Sequence, residues 1–595
     1  MTGSLKLISK RRAMFGDLLT YSPALICLAI MLPRLLSPQF GLFDDGNTVS
    51  VAHQVTGGGW DVWRVDADAG TGRFRPAYWL CLSLIYRLFG TDPLWYFLAN
   101  GLAFAGITLG LICLTRAAGG SRLQAGTAGM LFALSSPAIE SFYTLSKGEP
   151  LQLLWLVASL LVIGARSRLR KAVVRAGALL LGGFFIFLAD ATKETSLVMI
   201  PVSLAWFLAA WVGRKATHDR QRFQAQSTYF LATVLAGMVY LGLRASIVGQ
   251  ALAPGTYAGR YSLQLSQMLA TGFRWAGWLT RDFSYLVPLA SLLGACWVLR
   301  RRADQGAVLF DAFLWMVGWV IVFLPWGAPT VEYFLLPFAA GGSIFAGVVV
   351  GQASGAIADT SKTERALVVT GLVLTAGLFL VTLSNNAANG RQQLAVDAAN
   401  ADMLDYLASN LPLGSIVVVN IQDPNEYVDE IGLHLHGIWN RPDLVVDYFR
   451  YQEALLSPAA SPPYYVATPS VENQPRLAVR MGVVESTVSE WNDSMLEFLD
   501  GFAEPVYQTE RHFRLLTIDM LRLFCPLFPR REYCHVTSPV IDRRVFSFGW
   551  TIYQPGVETQ GFVSGLPLPS QRTGAWSPRW SGGARFAPQG RERAQ

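Results

Sequence analysis

Apolar residues fill the first two thirds of the chain in long blocks separated by short polar stretches. A membrane-crossing helix needs about 20 mostly apolar residues. Eleven stretches meet or approach this: 17–36, 93–115, 123–138, 150–165, 172–190, 195–213, 226–245, 283–299, 307–327, 332–352 and 364–384. One further apolar piece, Pro76–Gly90, is short and carries Arg87. It reads as a juxtamembrane or re-entrant helix; the alternative has it crossing in place of a weak neighbour such as 123–138. From residue 385 the pattern becomes that of a small α/β domain. A polar connector over 385–402 enters a helix at Ala395–Leu411, and Ser415–Asn420 has the pattern of a buried strand. A helix is expected from Asp423-Pro424-Asn425 to about Gly437, with strands at Leu444–Val446, Tyr464–Ala467, Arg476–Val484 and Arg514–Ile518. From Gly565 the chain is rich in Pro, Gly, Ser and Arg without periodicity and is expected to be disordered. The predicted architecture is a multi-pass α-helical membrane domain over 1–384, an exterior α/β domain over 385–564 and a tail over 565–595.

Composition agrees. Hydrophobic residues make up 52% and charged residues 15%, against about 25% charged in soluble domains. That excludes a cytosolic globular enzyme, a disordered chain and a disulfide-rich secreted module. The net charge of +7 does not indicate nucleic-acid binding, because the basic residues form short clusters between apolar runs, the pattern of cytoplasmic loops. The clusters are Lys6/Lys10/Arg11/Arg12, Arg116/Arg122, Arg166/Arg168/Arg170/Lys171, Arg214/Lys215/Arg220/Arg222, Arg300/Arg301/Arg302 and Lys362/Arg365. With all six inside, two crossings separate each from the next. The N-terminus is then cytoplasmic and the C-terminal domain periplasmic or extracellular, in an inner or plasma membrane. No cleavable signal peptide is read at the N-terminus. Cys27, Cys81, Cys113 and Cys296 lie in or near apolar runs. Cys525 and Cys534 bracket an eight-residue loop and either pair in an oxidising exterior compartment or stay as separate thiols.

The remaining charges collect in the outward loops, which are mixed in sign and rich in aromatics. Phe40-Gly41-Leu42-Phe43-Asp44-Asp45-Gly46-Asn47 places two adjacent carboxylates at the exit of the first span. Partial desolvation raises a carboxylate pKa toward that of a general base; the competing reading is an N-cap at Asp45 or Asn47. Arg73 and Arg75 precede an aromatic helix start, as a phosphate clamp or as headgroup anchors. Lys147-Gly148-Glu149-Pro150 and Asp190 to Thr195, with Lys193 and Glu194, each set a Lys and a Glu at an outer helix start; the structural reading of the Glu residues is the helix dipole. Asp66-Ala67-Asp68 is a weak metal signal, His53 is isolated, and His434 and His436 do not share a helix face and read as structural.

The acidic first exterior loop, the Arg75-Pro76-Ala77-Tyr78-Trp79 entry that closes it and the Glu149-Pro150 start resemble the GT-C glycosyltransferase fold. The protein O-mannosyltransferases and lipid A aminoarabinose transferases are nearest in pattern. Phe89-Gly90 with the span ending at Arg116, and Glu332-Tyr333-Phe334-Leu335-Leu336-Pro337, extend the resemblance over roughly residues 15–350. Where those relatives have Asp-x-Pro, this chain has Glu149-Pro150 with nothing between. The resemblance implies transfer of a sugar from a polyprenyl-phosphate carrier on the exterior face, with inversion. Asp45 or Asp44 would be the base, and Arg73, Arg75, Lys193 and Arg281 would hold the donor phosphate. Lys147, Glu149, Glu194 and Glu332 would support them, and Tyr257, Arg260 and Tyr261 would flank the carrier lipid's entrance. Some relatives bind a divalent metal, so a possible metal joins the implied set, with membrane lipids and a glycan, lipid or protein acceptor as partners and no nucleic acid. The alternatives are a transporter or flippase and a non-catalytic envelope-assembly scaffold. A transporter places ionisable groups at the bilayer midplane, whereas the charges here lie at outer helix ends.

Overall fold

The computed structural model describes residues 2–42, 44–65, 73–166, 169, 171–217, 220–249, 262–283, 285–286, 288–289, 292–293, 305–325, 332–357, 361–420, 426–448, 464–472, 503–514, 516–518 and 540–555. The helices are α1 (Thr2–Leu36), α2 (Asp45–Gly57), α3 (Pro76–Phe89), α4 (Pro93–Ala117), α5 (Arg122–Ala133), α6 (Ser136–Tyr143), α7 (Glu149–Ala165), α8 (Ala172–Thr192), α9 (Met199–Thr217), α10 (Arg220–Val248), α11 (Leu265–Asp282), α12 (Gly306–Phe323), α13 (Leu336–Ala356), α14 (Lys362–Asn410) and α15 (Glu426–Gly437). Short 3-10 turns at Glu194–Val198 and Glu332–Leu335 lead into α9 and α13. Among the described residues, eight helical stretches are long and apolar enough to cross a membrane: in α1, α4, α8, the Glu194–Gly213 stretch, α10, α12, α13 and α14. α7, at 17 residues, falls just short.

One expected span is broken, one falls mostly outside the described residues, and the short piece before α4 is a helix of its own. The run 123–138 is not one helix: α5 stops at Ala133, and α6 restarts with Pro137 in its first turn. Most of 283–299 lies outside the described residues. Pro76–Gly90 is helix α3, whose 14 residues rise about 21 Å, too little to span the hydrocarbon core.

Three contacts gather basic clusters at one end of the helices. Arg122 on α5 pairs with Asp17 on α1 at 2.8 Å. Gln124, one turn into α5, donates to Gln305 before α12 at 2.7 Å. Arg222 on α10 pairs with Asp311 on α12 at 2.9 Å. The acidic first loop lies at the opposite end of α1.

That end is continuous with the C-terminal domain. The expected connector at 385–402 is instead the middle of α14, a single helix of 49 residues about 74 Å long. Its first half is apolar. Its second half buries a polar row: Asn385, Asn386, Asn389, Gln392, Gln393, Asp397 and Asn400. These positions recur at three- and four-residue spacing and so share a face. Asn386 donates to the Leu134 carbonyl at the α5–α6 break (2.7 Å), and Asn400 accepts from the Trp550 indole (2.9 Å).

The domain sheet contains β1 (Ile416–Val419), β2 (Val445–Tyr448), β3 (Tyr464–Glu472), β4 (Ala503–Arg514) and, after a separate β5–β6 pair (Thr517–Ile518 with Ile541–Asp542), β7 (Val545–Pro555), in the order β2-β1-β3-β7-β4. β2, β1 and β3 run parallel; β7 is antiparallel to β3 and β4. The core joins α14 residues Val396, Ala399, Met403 and Leu407 to Val417, Val419, Ile431, Leu435, Phe548 and Trp550. Leu42, from the first loop, is fully buried in this same core. Arg476–Val484, Cys525, Cys534 and the tail lie outside the described residues.

Candidate active site

After α1 the chain turns through buried Phe40, Gly41 and Leu42. Asp44 has φ of 63°, a left-handed conformation that Asp adopts more readily than most residues. The turn sends two adjacent carboxyls in different directions. Asp44 stays partly exposed, 3.6 Å from the ammonium of buried Lys147. Asp45, the first residue of α2, is 2% exposed. Its Oδ2 accepts the Gly41 N–H at 2.8 Å, while its Oδ1 is buried without a hydrogen-bond partner. Burial raises this carboxyl to about 7; Asp397 adds to the rise, and the Gly41 amide, Arg34 and Lys147 oppose it. The N-cap reading fails here, because Asp44 stands at the cap position without a side-chain cap bond and Asp45 reaches upstream to Gly41.

Amides of α2 are instead capped from the C-terminal domain. Glu430 on α15 accepts from the Asn47 N–H at 3.2 Å and from Gly46. His434, one turn along, lies 3.1 Å through Nε2 from the Gly41 carbonyl. A carbonyl can only accept, so Nε2 carries the hydrogen. Burial lowers the His434 imidazole to about 4 and raises the Glu430 carboxyl well above its ordinary value. The two side chains, 4.0 Å apart, are therefore in contact without forming an ion pair. Below Gly41, Arg34 and Asp397 form a buried pair at 2.5 Å, with Gln393 donating to Asp397 at 2.9 Å. The Arg34 guanidinium stacks 4.0 Å over Phe97.

The cationic side of the site comes from other loops. Lys193, just past α8, pairs with Glu149, the first residue of α7. Its ammonium sits 4.8 Å over the Phe334 ring. Burial lowers the Lys193 pKa; Glu149 and Glu194 push it up, and nearby Arg75 pushes it down. Arg75 lies against Tyr78 and Trp79, 5.4 and 5.9 Å from their ring centres. Tyr78 is hydrogen-bonded with Thr48 and feels Arg75, Asp44 and Asp45 at once. It stands between the acidic and cationic sides.

Most residues expected from the sequence therefore meet: Asp44, Asp45 and Lys147 on one side, Arg75, Lys193, Glu149 and Glu194 on the other. Arg73 is half-buried two residues before Arg75. Arg281 falls at the end of α11, and Glu332 opens the turn that carries Phe334; their side chains lie outside the described set. Tyr257, Arg260, Tyr261, Asp66 and Asp68 are also outside it. Four residues of the site were not expected. Arg34, a charge in the last turn of an apolar helix, carried a readable signal. Asp397, Glu430 and His434 are brought in by a domain distant in sequence. Among the described residues no three His, Cys, Asp or Glu side chains converge as a metal ligand set.

No protein-family model matches the chain, and no curated protein matches it. Solved structures similar to it include ArnT from Cupriavidus metallidurans in the apo state, at 13% identity and TM-score 0.47, covering 77% of this chain and 93% of that one. The same ArnT bound to undecaprenyl phosphate aligns at 14% identity and TM-score 0.43, over 76% and 92% of the two chains. The Archaeoglobus fulgidus oligosaccharyltransferase tethered to an acceptor peptide aligns at 12% identity and TM-score 0.45, over 71% of this chain; the chain spans 64% of that protein's length. Both proteins have the GT-C fold that the order of sequence motifs resembles.

Proposed function

We propose that the chain is an inverting membrane glycosyltransferase that moves a sugar from a polyprenyl-phosphate carrier to an acceptor hydroxyl on the exterior face of the membrane. The observation that carries this reading is the juxtaposition of a buried carboxyl near neutrality, Asp45, with the buried cation Lys147, the half-buried Lys193 and Arg75. The basic clusters at the far end of the helices support the exterior placement.

The roles follow from the chemistry. Asp45 Oδ1 takes the acceptor proton as the acceptor oxygen attacks the anomeric carbon. The bond from that carbon to the carrier phosphate breaks on the opposite face, and its electron pair leaves on the phosphate. Arg75 and Lys193, with Arg73 and Arg281 as the further cations, neutralise the leaving phosphate. Glu149 holds Lys193 in place, and the Asp44–Lys147 pair edges the acceptor side. The acceptor is a hydroxyl-bearing glycan, lipid or protein.

Native mass spectrometry of the full chain in nanodiscs tests this. Polyprenyl monophosphate should bind the wild type and Asp45→Asn alike, more tightly than a generic anionic phospholipid does. Arg75→Ala/Lys193→Ala and Arg73→Ala/Arg75→Ala should lose that preference. No preference in any protein would reject the reading.

A further inference from the structure

The candidate base sits on a membrane-domain loop, yet the C-terminal domain holds that loop on two sides. Glu430 accepts the amides of Gly46 and Asn47. His434 donates to the Gly41 carbonyl at 3.1 Å, and Gly41 in turn donates its own N–H to Asp45 at 2.8 Å. Both ends of one glycine are thus engaged, one by the imidazole and the other by the carboxylate. The fit leaves no slack. A Cβ at Gly46 would lie 2.5 Å from His434 Cδ2 and 2.8 Å from Glu430 Oε2, and a Cβ at Gly41 would meet Asp397 at 3.2 Å and Asp45 at 3.4 Å. Leu42, between these contacts, is buried in the domain core.

We propose that Glu430 and His434 are positioning residues of the transfer reaction, which act on Asp45 through Gly41 and the first amides of α2 and make the C-terminal domain part of the catalytic unit. The inference rests on Asp45 serving as the base. His434 fixes Gly41, and a fixed Gly41 keeps its N–H on Oδ2, favouring the ionised form of Asp45. The other charged or titratable groups facing Asp45 are Asp44, Lys147, Arg34 on α1, Tyr78 on α3, Asp397 on α14 and Glu430 on α15. Glu430 is itself in contact with His434, at 4.0 Å, so His434→Gln, which keeps an uncharged donor beside it, is the control for that contact.

The test compares His434→Phe, which keeps the aromatic bulk that excludes water but has no donor, with His434→Gln, whose amide reaches about as far as Nε2. His434→Met, flexible and without a donor, serves if Phe is not accommodated. Two quantities are read on the full chain in nanodiscs: the pH profile of transfer, and the infrared carbonyl band of protonated Asp45, isolated by subtracting the matching Asp45→Asn protein. In His434→Phe the band's midpoint should rise by about one pH unit. Transfer at pH 7 should fall about fivefold and recover at pH 9, because the loss is one of ionisation. His434→Gln should stay within about twofold of wild type. An unmoved band and acid limb in the donorless variants would overturn the proposal. A moved band, with no transfer by the wild type from any lipid-linked donor, would uphold the coupling and reject the reaction. Transfer with an unmoved band would do the reverse.

Discussion

The Arg34 guanidinium and the Asp397 carboxylate meet at 2.5 Å across 363 residues of chain, each 1% exposed. The pair joins the first membrane helix to the helix that leads into the C-terminal domain. Removing one partner leaves the other charge buried and uncompensated, a loss of about 3–5 kcal/mol. Arg34→Met and Asp397→Leu should each lower the unfolding temperature of the detergent-solubilised protein sharply. The double variant should recover much of the loss, since a well-packed apolar pair often replaces a buried ion pair at little cost. Two additive single losses would show that the pair is not coupled.

Asp45→Asn should lower transfer by about a hundred- to ten-thousand-fold while carrier binding persists. The wild-type rate should fall as pH drops through about 7, where the base gains its proton. Stability carries the same group with its own sign. Between the ordinary value of 3.8 and about 7, the folded carboxyl keeps a proton that the unfolded chain has released, so Asp45 destabilises the fold progressively as pH rises through that window. The unfolding temperature of Asp45→Asn relative to wild type should therefore climb from pH 4 to pH 7 and level off above it.

Gly46→Ala tests the domain contact sterically. A methyl at 46 collides with His434 and Glu430, and overpacking of this kind costs about 1–3 kcal/mol. Hydrogen exchange at α2 and α15 should rise in Gly46→Ala and fall back in Gly46→Ala/His434→Ala, which opens space for the methyl. Unchanged exchange in the single variant would mean that the two elements do not pack as described.

Lys193 offers a test on the alkaline side. Burial lowers its pKa and Glu149 opposes that. In Glu149→Gln the lysine should lose its proton at a lower pH than in wild type. Affinity for polyprenyl phosphate should then decline earlier as pH rises, with near-normal affinity at pH 6. Coincident binding curves across pH would separate Lys193 from the phosphate.

Membrane helices were legible because their signal is local: twenty apolar residues declare themselves without a partner. So were the charged outer loops, since charge at a helix end stands out against apolar neighbours, but not which of their residues pair: Lys193 with Glu149 and Lys147 with Asp44. The middle of α14 was not, because a buried polar face such as Asn385, Asn389, Gln392 and Asn400 has the composition of a linker; only packing against the α5–α6 break and the sheet distinguishes them. β7 shows the opposite case. Phe546, Phe548, Trp550 and Ile552 alternate along it, all at most 1% exposed, a period-two signal that is present in the chain itself. His434 was rightly separated from His436, which bonds the Leu444 carbonyl at 2.8 Å. Nothing near position 434 points to Gly41, 393 residues upstream.

That separation imposes an order on biogenesis. Asp45 leaves the ribosome with the first membrane helix, but the residue that secures its loop follows 393 residues after Gly41. At translation speeds of about 5–20 residues per second, the interval is roughly 20 to 80 s. Throughout it the Gly41 carbonyl lacks its His434 partner. With Asp45 as the proposed base, a chain truncated before α15 would carry that carboxyl without the contact that fixes Gly41.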